Sequence, residues 1–175
     1  MRQRGFSLIE LMVVVAITAI LLTIGLPSFQ SSLRSNRVAT STNELLASFS
    51  LARSEAIRSP GGAAICSSTN GTACGGDWND GWMVWIDIDG DGAPTGADDR
   101  VLRYIEGNDK LELTTVAGGG AAEAVLVRFD PRGRRIGAAR TITVQPSECP
   151  TGHNLVRNVE VGATGQVSVT KENCS

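Results

Sequence analysis

Residues 6–26 read FSLIELMVVVAITAILLTIGL, an apolar run that contains a single charged side chain, Glu10. As a helix that rises roughly 1.5 Å per residue, the run is about 31 Å long, which is enough to cross the hydrocarbon of a bilayer. Arg2 and Arg4 precede the run and Pro27 follows it. Since basic flanks stay on the cytoplasmic side, the pattern predicts a membrane helix with the rest of the chain outside the cytoplasm.

A cleaved secretory signal also has a basic start and an apolar middle. Here the residues that follow the run, Pro27-Ser28-Phe29, lack the small-x-small pattern of a signal cleavage site. A carboxylate such as that of Glu10 costs several kcal/mol in hydrocarbon unless it finds a partner. Both details favour a retained segment in which Glu10 is paired.

Residues 5–11, GFSLIEL, resemble the cleavage and methylation motif of type IV pilins and type II secretion pseudopilins. The resemblance implies cleavage after Gly5 by a prepilin peptidase, N-methylation of Phe6, and a role for Glu10 in assembly. The Glu10 carboxylate can pair with the amino group of Phe6 on a neighbouring subunit, which neutralises two charges that are costly in an apolar filament core. Pro27 matches the helix kink that the family shows near this depth.

The rest of the chain divides into a helical and a β-rich part. A narrow apolar stripe with spacings of three and four predicts that the helix continues to about Arg58, where the sequence Ser-Pro-Gly-Gly ends it. We therefore expect a leader at 1–5, a transmembrane helix at 6–27, an amphipathic continuation at 28–59 and a periplasmic or extracellular head at 60–175. The stripe consists of Val38, Thr42, Leu45, Phe49, Ala52 and Ala56.

Beyond residue 62 the period of the apolar residues changes from 3.6 to 2, which predicts strands. The fold class is therefore α+β, with one or two antiparallel sheets packed on a long helix, as the pilin resemblance also implies. The three tryptophans are expected to pack in and around the core. The predicted strands are 63–66, 82–88, 100–106, 110–116, 124–129, 141–145, 155–161 and 166–170.

Four cysteines lie beyond the apolar run, and an even number in an exported domain indicates disulfides with three possible connectivities. Cys66 and Cys74 enclose a short polar turn, so we favour a bridge between them and a second bridge between Cys149 and Cys174. A zinc site is the alternative, but the chain has no C-x-x-C pair and a single histidine.

Sequence motifs in the predicted head, residues 60–175, point to one group within the pilin-like proteins. Residues 81–87, GWMVWID, residues 129–133, FDPRG, and the pair Cys149 and Cys174 resemble the GspH/FimT group of minor pilins and pseudopilins. That resemblance implies a minor pilin that helps to prime or cap a type IV pilus, a type II secretion pseudopilin, or a DNA-binding pilin of natural transformation. It implies other minor and major pilins, prepilin peptidase and the inner-membrane assembly platform as partners. The location implied is the bacterial inner membrane, with the head in the periplasm, and then a pilus or pseudopilus.

DNA binding has weaker support. The formal charge of −2 becomes −4 without the leader, when 14 basic residues face 18 acidic ones, which argues against non-specific binding of nucleic acid by the whole surface. DNA-receptor members carry Gly-Arg-x-Arg near the C terminus, whereas residues 165–168 read GQVS. Four arginines around a predicted turn could contact phosphates, or could instead be solvated or contact the next subunit. They are Arg132, Arg134, Arg135 and Arg140.

Residues 87–98, DIDGDGAPTGAD, follow the EF-hand loop pattern, with Asp at the last position instead of the usual Glu. Crowded carboxylates repel one another, and a hard cation relieves that repulsion. The loop is therefore a candidate Ca²⁺ site, and a metal-free Asp-Gly turn is the alternative. The candidate ligands are Asp87, Asp89, Asp91, the carbonyl of Ala93, and Asp98.

Enzymatic activity is not expected. The sequence has one histidine, no G-x-S-x-G, no phosphate-binding glycine loop and no isolated nucleophilic cysteine, so no catalytic set can be assembled. The sequence predicts a protein that is itself the substrate of a peptidase and a methylase.

Overall fold

The computed structural model describes residues 7–96, 98–117 and 125–175. The predicted leader and Phe6 lie outside these residues, as do residues 118–124 and Ala97, which belongs to the candidate Ca²⁺ loop at 87–98. The chain divides into two compact units, 1–36 and 37–175, and each is described by itself.

The first unit contains the start of helix α1, which spans Leu8–Ala56 without a break and thus includes Pro27. Large apolar side chains of this part are exposed, from Leu8 at 78% to Leu22 at 53%. Within the described ranges, no helix combines the length and the apolar character that crossing a membrane requires.

The second unit holds the remainder of α1 and two antiparallel sheets. The first sheet has the strand order β3-β2-β1-β5-β6, and the second has the order β4-β7-β8-β9. The strands are β1 Ala63–Ser67, β2 Gly81–Ile86, β3 Arg100–Glu106, β4 Leu111–Ala117, β5 Leu126–Phe129, β6 Arg135–Ile136, β7 Arg140–Pro146, β8 Val156–Val161 and β9 Val167–Glu172.

The main core lies where the apolar stripe of α1 meets both sheets. Leu45 and Phe49 of the helix are fully buried, and Phe49 contacts Phe129 edge to face with ring centroids 6.5 Å apart. Trp82 is also buried here, and its indole N–H donates to the Ser48 hydroxyl at 2.9 Å. The predicted stripe is confirmed, because each of its members is buried.

Strand β2 is buried on both faces, so it carries two clusters. Trp82 and Val84 belong to the main core, whereas Met83 and Trp85 form a second cluster with the Cys66–Cys74 bridge. The expectation that the tryptophans pack inside the protein is confirmed, since all three are at most 3% exposed.

The predicted α+β class is confirmed, and the element boundaries differ in small ways. The helix ends at Ala56 rather than near Arg58, and β2 ends at Ile86 rather than at residue 88 because Asp87 starts the acidic loop. Strand β6 was not predicted, since two residues cannot show a period of two. Residue 124, the first residue of the predicted strand at 124–129, lies outside the described residues.

Candidate functional site

The first candidate site is the start of α1. The predicted cleavage and methylation residues, Gly5 and Phe6, lie outside the described residues. Ser7 directly precedes the helix, and its hydroxyl accepts the N–H of Glu10 at 3.2 Å, while its carbonyl accepts the N–H of Leu11. Glu10 is exposed in the first turn, where the helix dipole favours a negative charge.

The surface that follows Glu10 is almost entirely apolar. Side chains from Leu8 to Leu22 are about half exposed or more, which is far more apolar surface than a soluble monomer normally presents. Exposed apolar patches of this kind mark surfaces that contact another protein or a membrane.

The second candidate site is the acidic loop between β2 and β3. Carboxylate oxygens of Asp87, Asp89, Asp91 and Asp99 lie within 4.8 Å of one another. The predicted ligand Asp98 is not in this group, and the neighbouring Asp99 lies there instead. Asp99 turns inward because its two oxygens accept the N–H groups of Ile88 and Gly96, each at 2.9 Å, which closes the loop before β3 begins. The other predicted ligand, Ala93, donates its N–H to Asp91 Oδ1 at 2.7 Å.

A cation from this chain already contacts the loop. Nη2 of Arg128, in β5, lies 2.8 Å from Asp87 Oδ2 and 3.1 Å from the carbonyl of Gly90. Asp87 is only 1% exposed, and it also accepts the N–H groups of Gly90 and Gly92 at 2.8 and 3.2 Å. Three donors from the described residues thus occupy most of the about four acceptor positions of this carboxylate.

Sequence reasoning missed Arg128. Its one signal is a charged residue inside the short apolar strand LVRF, where the inner and outer faces alternate. The partner, Asp87, is 41 positions away, so no local pattern could have joined the two.

The third candidate is the arginine turn between β5 and β7. Only Arg132 and Arg134 are exposed there, and their backbone N–H groups donate to Asp130 Oδ1 at 2.9 and 2.8 Å. Arg140 is 4% exposed, and Arg135 donates to the carbonyls of Val161, Gly137 and Ala138. The expectation that all four arginines could contact phosphates is therefore wrong for two of them. The guanidinium of Arg135 is bound to the backbone, and Arg140 is buried.

Both predicted disulfides are present, Cys66–Cys74 and Cys149–Cys174. The second bridge packs with Leu155 and Val156 and holds the end of the chain against β8. Since all four cysteines are paired, none is left as a thiolate ligand for zinc.

An acidic residue in the first turn of a long helix, an exposed apolar stretch after it, and a disulfide-closed head with two sheets define a subunit of the pilin type. Comparison with known families agrees. The family described as Type II transport protein GspH matches residues 41–165, and the prokaryotic N-terminal methylation motif matches residues 1–26. The GspH match covers well over half of the chain, which therefore belongs to the GspH family, the GspH/FimT group of minor pilins and pseudopilins.

The N-terminal part of the chain is also similar to a known protein. The chain is 64% identical over 33 residues to prepilin peptidase-dependent protein D of Escherichia coli (strain K12), a stretch that covers 19% of this chain and 23% of that protein. The similarity thus spans less than a quarter of the relative's length. No solved structure matches the chain. Pilin and pseudopilin families consist of structural, membrane-anchored subunits that assemble into filaments.

Proposed function

We propose that this chain is a minor type IV pilin that helps to prime or cap assembly of a pilus. The observation that carries the proposal is the combination of a methylation motif at 1–26 and a GspH head at 41–165 in one chain. Prepilin peptidase would cut after Gly5, and a methylase would modify the new amino terminus at Phe6. The name of the Escherichia coli relative supports processing by that peptidase. The chain acts as a subunit and a substrate, not as an enzyme.

Before assembly, residues 6–27 hold the subunit in the bacterial inner membrane and the head lies in the periplasm. The exposed apolar side chains between Leu8 and Leu22 support this placement, because lipid covers them first and the helices of neighbouring subunits cover them later. Disulfides suit an oxidising compartment, and both bridges lie in the head. The partners are other minor and major pilins and the assembly platform of the inner membrane.

The alternative is a minor pseudopilin of a type II secretion system, which the description of the matching family favours. Pilus and secretion subunits share this architecture, so a genetic experiment must separate them. We would delete the gene, complement it with the wild type or with Glu10→Gln, and score surface pili, twitching and secreted enzymes. Loss of pili with normal secretion supports the minor pilin, and loss of secretion with normal pili establishes the alternative.

Processing is tested in the same strains by mass spectrometry of the purified protein. The expected mature chain begins at N-methylated Phe6. A protein that still begins at Met1 would contradict the proposed processing. Glu10→Gln should leave the cleavage intact and abolish rescue of the deletion strain.

DNA binding is a second alternative, and the structure limits where it could occur. Only Arg132 and Arg134 offer exposed guanidinium groups at the predicted turn. If DNA uptake alone failed in the deletion strain, the double substitution Arg132→Ala and Arg134→Ala should reproduce that defect. Normal uptake in the deletion strain excludes this function.

A further inference from the structure

The second sheet carries an open groove of about 450 Å³ on the face turned away from the main core. Its lining includes Gln145 of β7, Asn158 of β8 and Glu172 of β9. Gln145 Nε2 donates to Glu112 Oε2 at 2.8 Å, which leaves the side-chain carbonyl oxygen of Gln145 as an acceptor. No described residue donates a hydrogen bond to this oxygen or to the side chain of Glu172. The groove therefore presents acceptors to a donor from outside.

The charged side chains on this face of the sheet are all acidic within the described part of the chain. Successive residues of a strand point to opposite faces, so the strand register places Glu112, Glu160 and Glu172 on the face of the groove and places no lysine or arginine there. Like charges on one surface repel one another, and a cationic partner relieves that repulsion. A guanidinium suits the groove, since its planar array of N–H donors matches carboxylate and amide oxygens.

The arginine turn between β5 and β7 offers such groups. Its backbone is held in place, because Asp130 Oδ1 accepts the N–H groups of Arg132 and Arg134 and Arg53 Nε donates to the carbonyl of Gly133 at 3.0 Å. The side chains of Arg132 and Arg134 are exposed, and neither forms an ion pair with a described residue. The turn therefore presents two positive charges at a fixed place on the head.

One chain cannot join its own turn to the far end of its own groove. The N–H of Arg135 donates to the carbonyl of Ala163 at 3.2 Å, which places the arginine turn beside the turn that leads into β9. Strand β9 spans Val167–Glu172, and at roughly 3.4 Å per residue its two ends lie about 17 Å apart. Glu172 is at the end away from the arginine turn, beyond the reach of an arginine side chain.

We propose that the arginine turn of one copy of this chain docks in the groove of a second copy, with Arg132 and Arg134 facing Glu112 and Glu172. The argument for this occupant is charge complementarity between two surfaces that the same chain cannot bring together. Because the two surfaces differ, the contact is heterologous, and each pair keeps a free turn on one copy and a free groove on the other. Further copies can therefore add head to tail.

This inference goes beyond the proposed function, and it is tested on purified full chains in detergent. A carbodiimide joins an amine to a carboxylate only where the two are in contact. Copies with Arg132→Lys and Glu172→Gln are mixed with wild-type copies, so that a link between position 132 and Glu172 can form only between two molecules. Mass spectrometry should find this link. Arg100→Lys, which places an amine at an exposed arginine of β3, is the matched control and should give about fivefold less linkage to Glu172.

A charge exchange tests the direction of the contact. Copies with Glu172→Lys have a basic groove and a basic turn, whereas copies with Arg132→Glu lack the cation at that position of the turn. Neither variant alone can form a link between positions 132 and 172. Mixed together, they should form the reversed link, from the new amine at position 172 to the new carboxylate at position 132. Since both groups are exposed, raising the ionic strength from about 0.05 M to about 0.5 M should lower the yield about fivefold.

The inference is overturned if neither mixture gives the link, or if Arg100→Lys links to Glu172 as well as Arg132→Lys does. It is also overturned if, in cell membranes, position 132 links to a carboxylate of another protein and not to this chain, because the occupant of the groove is then not a second copy. These results do not depend on the phenotype of the deletion strain, which tests the proposed function separately.

Discussion

Replacing Arg128 with methionine should destabilise the head strongly, although Arg128 lies at the edge of the core. The substitution keeps the aliphatic length of the side chain but removes the only side-chain cation shown within hydrogen-bond distance of the Asp87 carboxylate in the described residues. Breaking a buried ion pair from one side costs about 3–5 kcal/mol, because the remaining charge stays buried without its partner.

The structure sets the expected loss at the lower end of this range. The Arg128 side chain is 26% exposed, so water partly screens the pair, and Asp87 keeps two backbone N–H donors after the substitution. We therefore expect a loss of about 3 kcal/mol in the free energy of unfolding. For a domain of this size, about 3 °C per kcal/mol gives a fall in Tm of about 10 °C.

The assay is thermal unfolding of the purified full chain in detergent, followed by tryptophan fluorescence. All three tryptophans are buried in the head, so the signal reports on the head alone. Arg132→Met is the matched control, because Arg132 is exposed, and its Tm should change by less than about 2 °C. Adding Asp87→Asn to Arg128→Met should recover part of the loss, since no charge then remains buried. A Tm of Arg128→Met that equals that of the control would refute the reasoning.

Three further predictions concern other parts of the head. Gly62→Ala should cost more stability than Gly152→Ala, because both have a positive φ but only at Gly62 would a Cβ lie 2.3 Å from a backbone carbonyl oxygen; equal denaturation midpoints would contradict this. The loop at residues 87–99 is predicted to bind Ca²⁺ with a millimolar Kd, since Arg128 already neutralises one of its carboxylates. In calorimetry, Asp99→Asn should abolish the heat of calcium binding, whereas Asp98→Asn should preserve it. The site is rejected if the wild type gives no heat at millimolar calcium. The pKa of Asp109 lies below its ordinary value, first because the Lys110 side chain hydrogen-bonds to the Asp109 carboxylate. The small contribution of this contact to folding stability is therefore present at neutral pH and is lost only as the pH falls through the lowered pKa. An NMR titration in which Lys110→Met leaves the pKa of Asp109 unchanged would disprove this cause.

Much of the architecture follows from local patterns. Each predicted strand whose residues are described corresponds to an observed strand within about two residues at either end, since burial of one face imposes a period of two on the sequence. The stripe from Val38 to Ala56 is buried for the same reason at a period of 3.6. The bridge between Cys66 and Cys74 was predictable because a short polar turn brings its ends together.

The sequence by itself therefore determined the helix, the period of the strands, the short bridge between Cys66 and Cys74 and the N-terminal motif, because each is encoded by residues close together in the chain. Only the tertiary structure decided which charged groups meet. It turned Asp99 rather than Asp98 into the acidic cluster, placed Arg128 on Asp87 across the sheet, and buried Arg140 at the start of β7. These outcomes depend on strand order and loop closure, which join residues that are distant in the sequence, and a charge pattern read along the chain contains no information about either.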